Sequence, residues 1–197
     1  MTLAFEIVCI GASYGGLSAL QVLLPGLSQG FPLPVVIVQH RKKDADDGLC
    51  EFLRKRSRLP LIEPNDKEKV EPGRVYLAPR DYHLLIEKSI FALSTESPVG
   101  HARPSIDVLF ESAAEVYQER TVGVILTGAN RDGARGLSRI KAFGGFAVVQ
   151  DPASAESRAM PEAAMSATEV DSILPLQEIA HFLNELCHPG QRLLHAR

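Results

Sequence analysis

Four short apolar runs, each stopped by glycine or by polar residues, constrain this chain more than any other feature. Residues 5–10 end at Gly11, 35–38 at Gln39-His40, 122–126 at Thr127-Gly128, and 146–149 at Gln150-Asp151. The runs are rich in β-branched residues and apolar on both faces. That suits parallel strands covered by helices on each side. Helical patterns lie between them, over 16–24, 46–56, 105–118 and 134–143. In the third, Ile106, Leu109, Phe110, Ala113 and Val116 recur at helical spacing. The middle of the chain differs. Residues 61–62, 75–78, 83–86 and 90–93 are short runs cut by proline and glycine, and read as an antiparallel insertion at the sheet edge. A last helix is expected over 176–186. The pattern predicts an α/β fold: a doubly wound, mostly parallel open sheet with helices on both faces and a small antiparallel edge insertion. One domain over 1–190 and a C-terminal tail over 191–197 complete the expected organisation.

Bulk properties narrow the class. The 197 residues suffice for one domain with a sizeable core, and 45% hydrophobic with 23% charged residues points to packing rather than disorder. A net charge of -3 gives no general attraction to nucleic acid. No apolar run is long enough to span a bilayer, and the start, MTLAFEIVCIG, lacks a basic leader. Cys9, Cys50 and Cys187 are odd in number, widely spaced and without a CxxC pair. They read as reduced thiols, not as a disulfide framework or metal site. A cytoplasmic protein without membrane embedding is expected.

In a doubly wound sheet, sites form outside the carboxyl ends of the strands, where the strand order reverses. The first predicted strand delivers Ser13 there, the second His40, and the third Thr127, Gly128 and, slightly further on, Asp132. A hydroxyl, an imidazole and a carboxylate are the parts of nucleophilic acyl transfer. Each has a plainer reading. Ser13 and Asp132 are good cap or turn residues, and His40 fits an exposed loop. The coincidence of all three at strand exits favours catalysis. So does Gly11-Ala12-Ser13-Tyr14-Gly15, a G-x-S-x-G pattern that suggests a tight turn with a strained serine backbone. A dinucleotide site fits less well. Ser13 stands where the second glycine of G-x-G-x-x-G is needed, and no acid lies between Phe31 and Lys43, where the second strand ends.

The segments IGASYGGLSAL, VVIVQH, GRVYLAPRDYHLL, RPSIDVLFESAAEVY, GVILTGANRDGARGL and QDPASAESRAMPEAAM, taken together and in order, resemble the catalytic domain of the chemotaxis protein-glutamate methylesterase (CheB) family. The resemblance implies a doubly wound α/β domain that hydrolyses glutamate methyl esters on chemoreceptor helices, in many members also deamidates glutamines, and needs no cofactor or metal. It places the triad on Ser13, His40 and Asp132. It implies an oxyanion or substrate-binding role for Ala129, Tyr14 and Arg103. Three positions depart from the family pattern: Tyr14 replaces a threonine, and Ala129-Asn130 replaces Met-Gly. The family's phosphorylatable receiver domain has no counterpart here, so a receiver domain or regulatory partner is expected elsewhere. Two other functions compete on the same scaffold: a catalytically weak receptor-docking module and a small-molecule carboxylesterase. The basic run Arg41, Lys42 and Lys43 is expected on the active-site face, where it would steer acidic receptor helices. His101 divides between site and loop. His83 reads as structural, and Asp151 and Met160-Pro161 as turn chemistry.

Overall fold

The computed structural model describes residues 5–41 and 48–188. The chain runs β1 (Ile7–Ala12), α1 (Gly16–Gly26), β2 (Val35–Gln39), α2 (Gly48–Arg54), β3 (Leu61–Ile62), β4 (Val75–Leu77), β5 (His83–Glu87), β6 (Ile90–Ser94), α3 (Ile106–Tyr117), β7 (Thr121–Ile125), α4 (Ala134–Ala142), β8 (Phe146–Gln150), α5 (Ala159–Ala167), β9 (Ser172–Leu174) and α6 (Leu176–Leu186). Seven strands form one parallel sheet in the order β3-β4-β2-β1-β7-β8-β9. The strand order runs outward from β1 in one direction through β2 and in the other through β7, so the switch point lies between β1 and β7.

All six residues of β1 are buried, as a central parallel strand requires. Successive side chains point to opposite faces. Val8, Ile10 and Ala12 pack with Leu20, Leu23 and Leu24 of α1 and Ile179 and Leu183 of α6. Ile7 and Cys9 pack on the other side with Ile106, Leu109 and Phe110 of α3 and Leu137 and Ile140 of α4. Fully burying one such side chain contributes ~1.5–3 kcal/mol, so both helical layers are held mainly by apolar burial. Gly11 lets α3 come close: a Cβ on it would run into Cγ2 of Ile106. The N-terminus of α3 therefore sits over the end of β1.

The middle of the chain departs from expectation in one respect. β3 and β4 extend the parallel sheet beyond β2, and only β5 and β6 are antiparallel. That pair forms a separate two-stranded sheet, whose Leu84, Ile86 and Phe91 join the α3 side of the core. Proline and glycine cut β3 and β4 to two or three residues, which hid their parallel pairing. α5 and β9 were not foreseen. Pro161 interrupts the pattern of the first, and the second has three residues with none fully buried. α2 begins at Gly48; residues 46–47 and the tail over 191–197 lie outside the described residues. Among the described residues no helix is long and apolar enough to cross a membrane.

Candidate active site

Three strand exits meet at the switch point. Ser13 follows β1 directly, and its N–H donates to the Thr127 carbonyl just past β7 at 3.0 Å. His40 follows β2, and its N–H donates to the Ala12 carbonyl at 3.0 Å. The ladder bonds of the central strands thus continue one residue beyond them and bring the two side chains together. The turn after Ser13 is tight, but its left-handed residue is Gly15, at φ 78. Ser13 has no positive φ, so the expected strain of the serine backbone is absent. The glycine absorbs it instead, which is why position 15 favours a residue without Cβ.

Ser13 Oγ lies 3.1 Å from His40 Nδ1, and His40 Nε2 lies 2.7 Å from Asp132 Oδ2. The three groups form one file. A carboxylate only accepts, so Nε2 carries the proton and donates to Asp132. Nδ1 is left with a lone pair, to which the Ser13 hydroxyl donates. The ring is turned the other way in the trypsin-like template, where Nε2 faces the serine. The relay needs only one nitrogen on each side, so either orientation serves.

Asp132 does more than orient the ring. Oδ1 accepts the Ser105 hydroxyl at 2.8 Å and the Asp107 N–H at 3.1 Å, while Oδ2 also accepts the Ile106 N–H at 2.7 Å. It therefore caps the N-terminus of α3, from the loop that leads into α4. Asp107 returns the favour from the first turn of α3: its Oδ1 accepts the N–H groups of Gly133 and Gly136 at the start of α4. The cap reading and the catalytic reading of Asp132 are thus compatible, although the helix it caps is not its own. Burial pushes the Asp132 carboxyl up, but the His40 ring and the Ile106 and Asp107 N–H groups outweigh this and hold it below the ordinary aspartate value. Asp107 goes the other way. Burial raises it and the neighbouring Asp132 charge adds to that, against the Gly136 N–H and Arg135.

The loop from Thr127 to Asp132 is pinned from several sides. Gln150 at the end of β8 accepts the Thr127 N–H at 2.9 Å. Thr127 Oγ1 donates to the Tyr14 carbonyl at 2.9 Å and accepts the Ser157 N–H at 2.8 Å. Gln39, at the end of β2, donates through Nε2 to the carbonyls of both Ser13 and His40, at 2.8 and 2.9 Å. Among the described residues, the N–H groups of Tyr14 and Ala129 have no hydrogen-bond partner. The Tyr14 ring is 62% exposed and does not cover Ser13 from within the fold. Asn130 stands beside the relay: Asp132 N–H donates to its Oδ1 at 3.0 Å, and its Nδ2 lies 3.1 Å from His40 Nδ1. A groove of about 510 Å³ opens there, with Asn130, Arg131, Asp132 and Arg135 in its wall.

The supporting residues Gln39, Gln150, Ser105, Asp107 and Ser157 were not singled out from the sequence. The two glutamines stand at strand exits, which is the one signal that pointed to them. Other named residues fall elsewhere. Arg103 donates to Asp81 and to the carbonyls of Thr95 and Glu96, so its guanidinium braces the loop before α3. His101 is exposed in the adjoining turn at φ 69. His83 is buried, accepts the Ser105 N–H at Nδ1 and lies 3.2 Å from the Ser97 carbonyl through Nε2, a structural role. Asp151 accepts the Ala153 N–H in a short turn. Met160 and Pro161 lie in the first turn of α5. Arg41 corrects an expectation. Its side chain is 6% exposed and donates to Glu63 and the Ala78 carbonyl, so it is a structural cation and does not steer. Lys42 and Lys43 lie outside the described residues.

A doubly wound parallel sheet with hydroxyl, imidazole and carboxylate in file at its switch point is the make-up of a hydrolase. The family model described as CheB methylesterase matches residues 8–183. The chain belongs to the CheB methylesterase family. A Leptospira interrogans protein provisionally named protein-glutamate methylesterase/protein-glutamine glutaminase is 48% identical over 183 residues, covering 92% of this chain and 95% of that protein. The Thermotoga maritima protein-glutamate methylesterase/protein-glutamine glutaminase is 36% identical over 185 residues, covering 92% of this chain but 54% of its own length. The crystal structure of the Thermotoga maritima CheB methylesterase catalytic domain matches with a TM-score of 0.88 at 35% identity, over 92% of this chain and 98% of that one. The chain thus spans nearly all of the first relative and about half of the second.

Proposed function

We propose that this protein is a serine-dependent protein-glutamate methylesterase that removes methyl groups from chemoreceptor glutamates during chemotactic adaptation. The observation that carries the reading is the Ser13–His40–Asp132 file, at 3.1 and 2.7 Å. Ser13 Oγ attacks the side-chain ester carbonyl while its proton passes to His40 Nδ1. Asp132 holds the other ring proton and stabilises the imidazolium. The tetrahedral intermediate collapses as Nδ1 returns a proton to the methoxy oxygen, and methanol leaves. Water then hydrolyses the acyl-enzyme by the same exchange in reverse.

The free N–H groups of Ala129 and Tyr14 are the oxyanion donors in this reading, each worth ~10²–10³ in rate. Replacing Met-Gly by Ala129-Asn130 keeps the backbone donor, because the donor is the N–H and not the side chain. Tyr14 and Arg131, both exposed, the latter in the groove wall, face an acidic helical substrate. Such a substrate places the enzyme in the cytoplasm, and a receiver domain on this or another chain would regulate it. The test is methanol release from methylated chemoreceptor. Release by the wild type, none by Ser13→Ala, and labelling of Ser13 by a fluorophosphonate are expected. Hydrolysis of simple esters with none of methylated receptor would instead assign a small-molecule carboxylesterase.

A further inference from the structure

Asn130 stands where the family pattern has glycine, and its amide has only one orientation. Oδ1 accepts the Asp132 N–H at 3.0 Å, so Nδ2 is the atom turned to His40 Nδ1 at 3.1 Å. The Nε2 proton of that ring is committed to Asp132. The Nδ1 lone pair therefore receives two donors at once, the Ser13 hydroxyl and the Asn130 N–H, both at 3.1 Å. When the serine proton moves to Nδ1, that nitrogen becomes a donor and can no longer accept from Asn130. The N–H of Asn130 is released at the place where the leaving atom must come. Any atom that takes a proton from Nδ1 sits about 2.6–3.2 Å from it, within reach of a second group converging on the same nitrogen.

The two substrates named for the relatives differ at that atom. An ester leaves as an alkoxy oxygen with two lone pairs. One takes the proton from Nδ1, and the other accepts the Asn130 N–H. A glutamine side chain leaves as a nitrogen with one lone pair in the tetrahedral intermediate. That pair takes the Nδ1 proton, and the nitrogen, bonded to three hydrogens and still to the carbon, has no lone pair until the C–N bond breaks, so in the intermediate Asn130 meets donor with donor. In each case the C–O or C–N bond breaks with its electron pair moving to the leaving atom, which gains the Nδ1 proton, and the carbonyl re-forms. Resting on the proposed esterase reading, we infer that Asn130 is a specificity-determining residue that favours ester hydrolysis over glutamine deamidation. Both substrates give the same acyl-enzyme, so the preference lies in acylation and appears in kcat/KM.

The experiment uses the purified chain and two peptides that share a receptor-like helical sequence. One carries a glutamate methyl ester and the other a glutamine at the same position, read by methanol and ammonia release. Asn130→Gly removes the donor. Asn130→Asp keeps an oxygen for the Asp132 N–H and replaces the donor by an acceptor. The ester-to-amide ratio of kcat/KM is expected to fall about tenfold in Asn130→Gly, the worth of one hydrogen bond of ordinary strength, and further in Asn130→Asp. If the wild type releases no measurable ammonia, both variants are expected to release it. A ratio that stays constant in both variants, even where both rates drop together, overturns the inference and leaves the esterase reading standing. No hydrolysis of either peptide by the wild type, with Ser13 unlabelled by fluorophosphonate, overturns the esterase reading and this inference with it.

Discussion

Asp132 carries two loads, and the residue scale is where they separate. Its four accepted hydrogen bonds divide between the His40 ring and the start of α3. An amide in its place can serve only some of them. Asp132→Asn is expected to lower kcat by about 10⁴, because a donor facing Nε2 favours the wrong ring tautomer. It should also cost ~0.5–2 kcal/mol of stability, because α3 loses part of its cap. A paired measurement of kcat and Tm checks both; a Tm loss with normal kcat would reduce Asp132 to a cap. The pH dependence follows from the lowered carboxyl. The charged form stabilises the fold above the ordinary value of 3.8, and this contribution is lost as pH falls through the lower folded value. The Tm gap between wild type and Asp132→Asn should therefore close as pH drops below 3.8. Ser13→Ala removes one oxygen from a half-buried turn. It should leave Tm unchanged and cut turnover by on the order of 10⁶, the loss seen when a triad nucleophile is removed.

At the scale of elements, α3 and α4 are locked at their N-termini by exchanged carboxylates. Four first-turn N–H groups of an α-helix have no internal partner, and a carboxylate also complements the positive end of the helix dipole. Asp132 serves α3 and Asp107 serves α4, so the two helices cannot shift apart without exposing both sets of donors. Asp107→Ala is expected to lower Tm by an amount equivalent to about 1–2 kcal/mol, and to lower kcat because the loop carrying Asn130 and Asp132 loses its anchor at Gly133. Asp107→Asn should cost less, because its amide oxygen can accept both N–H groups that Oδ1 accepts now. Equal losses in the two variants would show that the charge, and not the acceptor, holds α4. Gly16 makes a comparable link on the other side: a Cβ there would collide with Gln39 Oε1 and move the amide that ties the Ser13 and His40 carbonyls.

For the whole molecule, the site lies where the sheet is most deeply covered. β1 and β7 are fully buried between two helical layers, whereas β9 is a three-residue edge strand with partial exposure. Protection against hydrogen exchange follows burial and cooperative packing. Amides of β1 and β7 are expected to exchange only through global unfolding, and those of β9 and the β5–β6 hairpin faster by local opening. Exchange measured by mass spectrometry on the native protein checks this, and uniform protection across the sheet would contradict it. Ser13 and His40 thus directly follow fully buried strands, β1 and β2, while the Asn130 loop is held by backbone and side-chain bonds outside the sheet.

The sequence by itself pointed to the central strands, to every helix but α5, and to Ser13, His40 and Asp132 as a candidate set. Those features are local: short doubly apolar runs, helical spacing, and chemistry placed directly after each run. It also showed Asn130 as a departure from the family pattern, but not what the side chain touches. Tertiary structure alone decided the rest. It sent β3 and β4 into the parallel sheet, turned the His40 ring so that Nδ1 faces Ser13, and set Asp132 on a helix 25 residues away from it in the chain. It buried Arg41 against Glu63 and tied Gln39 to two carbonyls. Each of these is a contact between residues distant in sequence. Partner choice there is settled by packing and by the need to satisfy every buried donor and acceptor, and no local pattern records it.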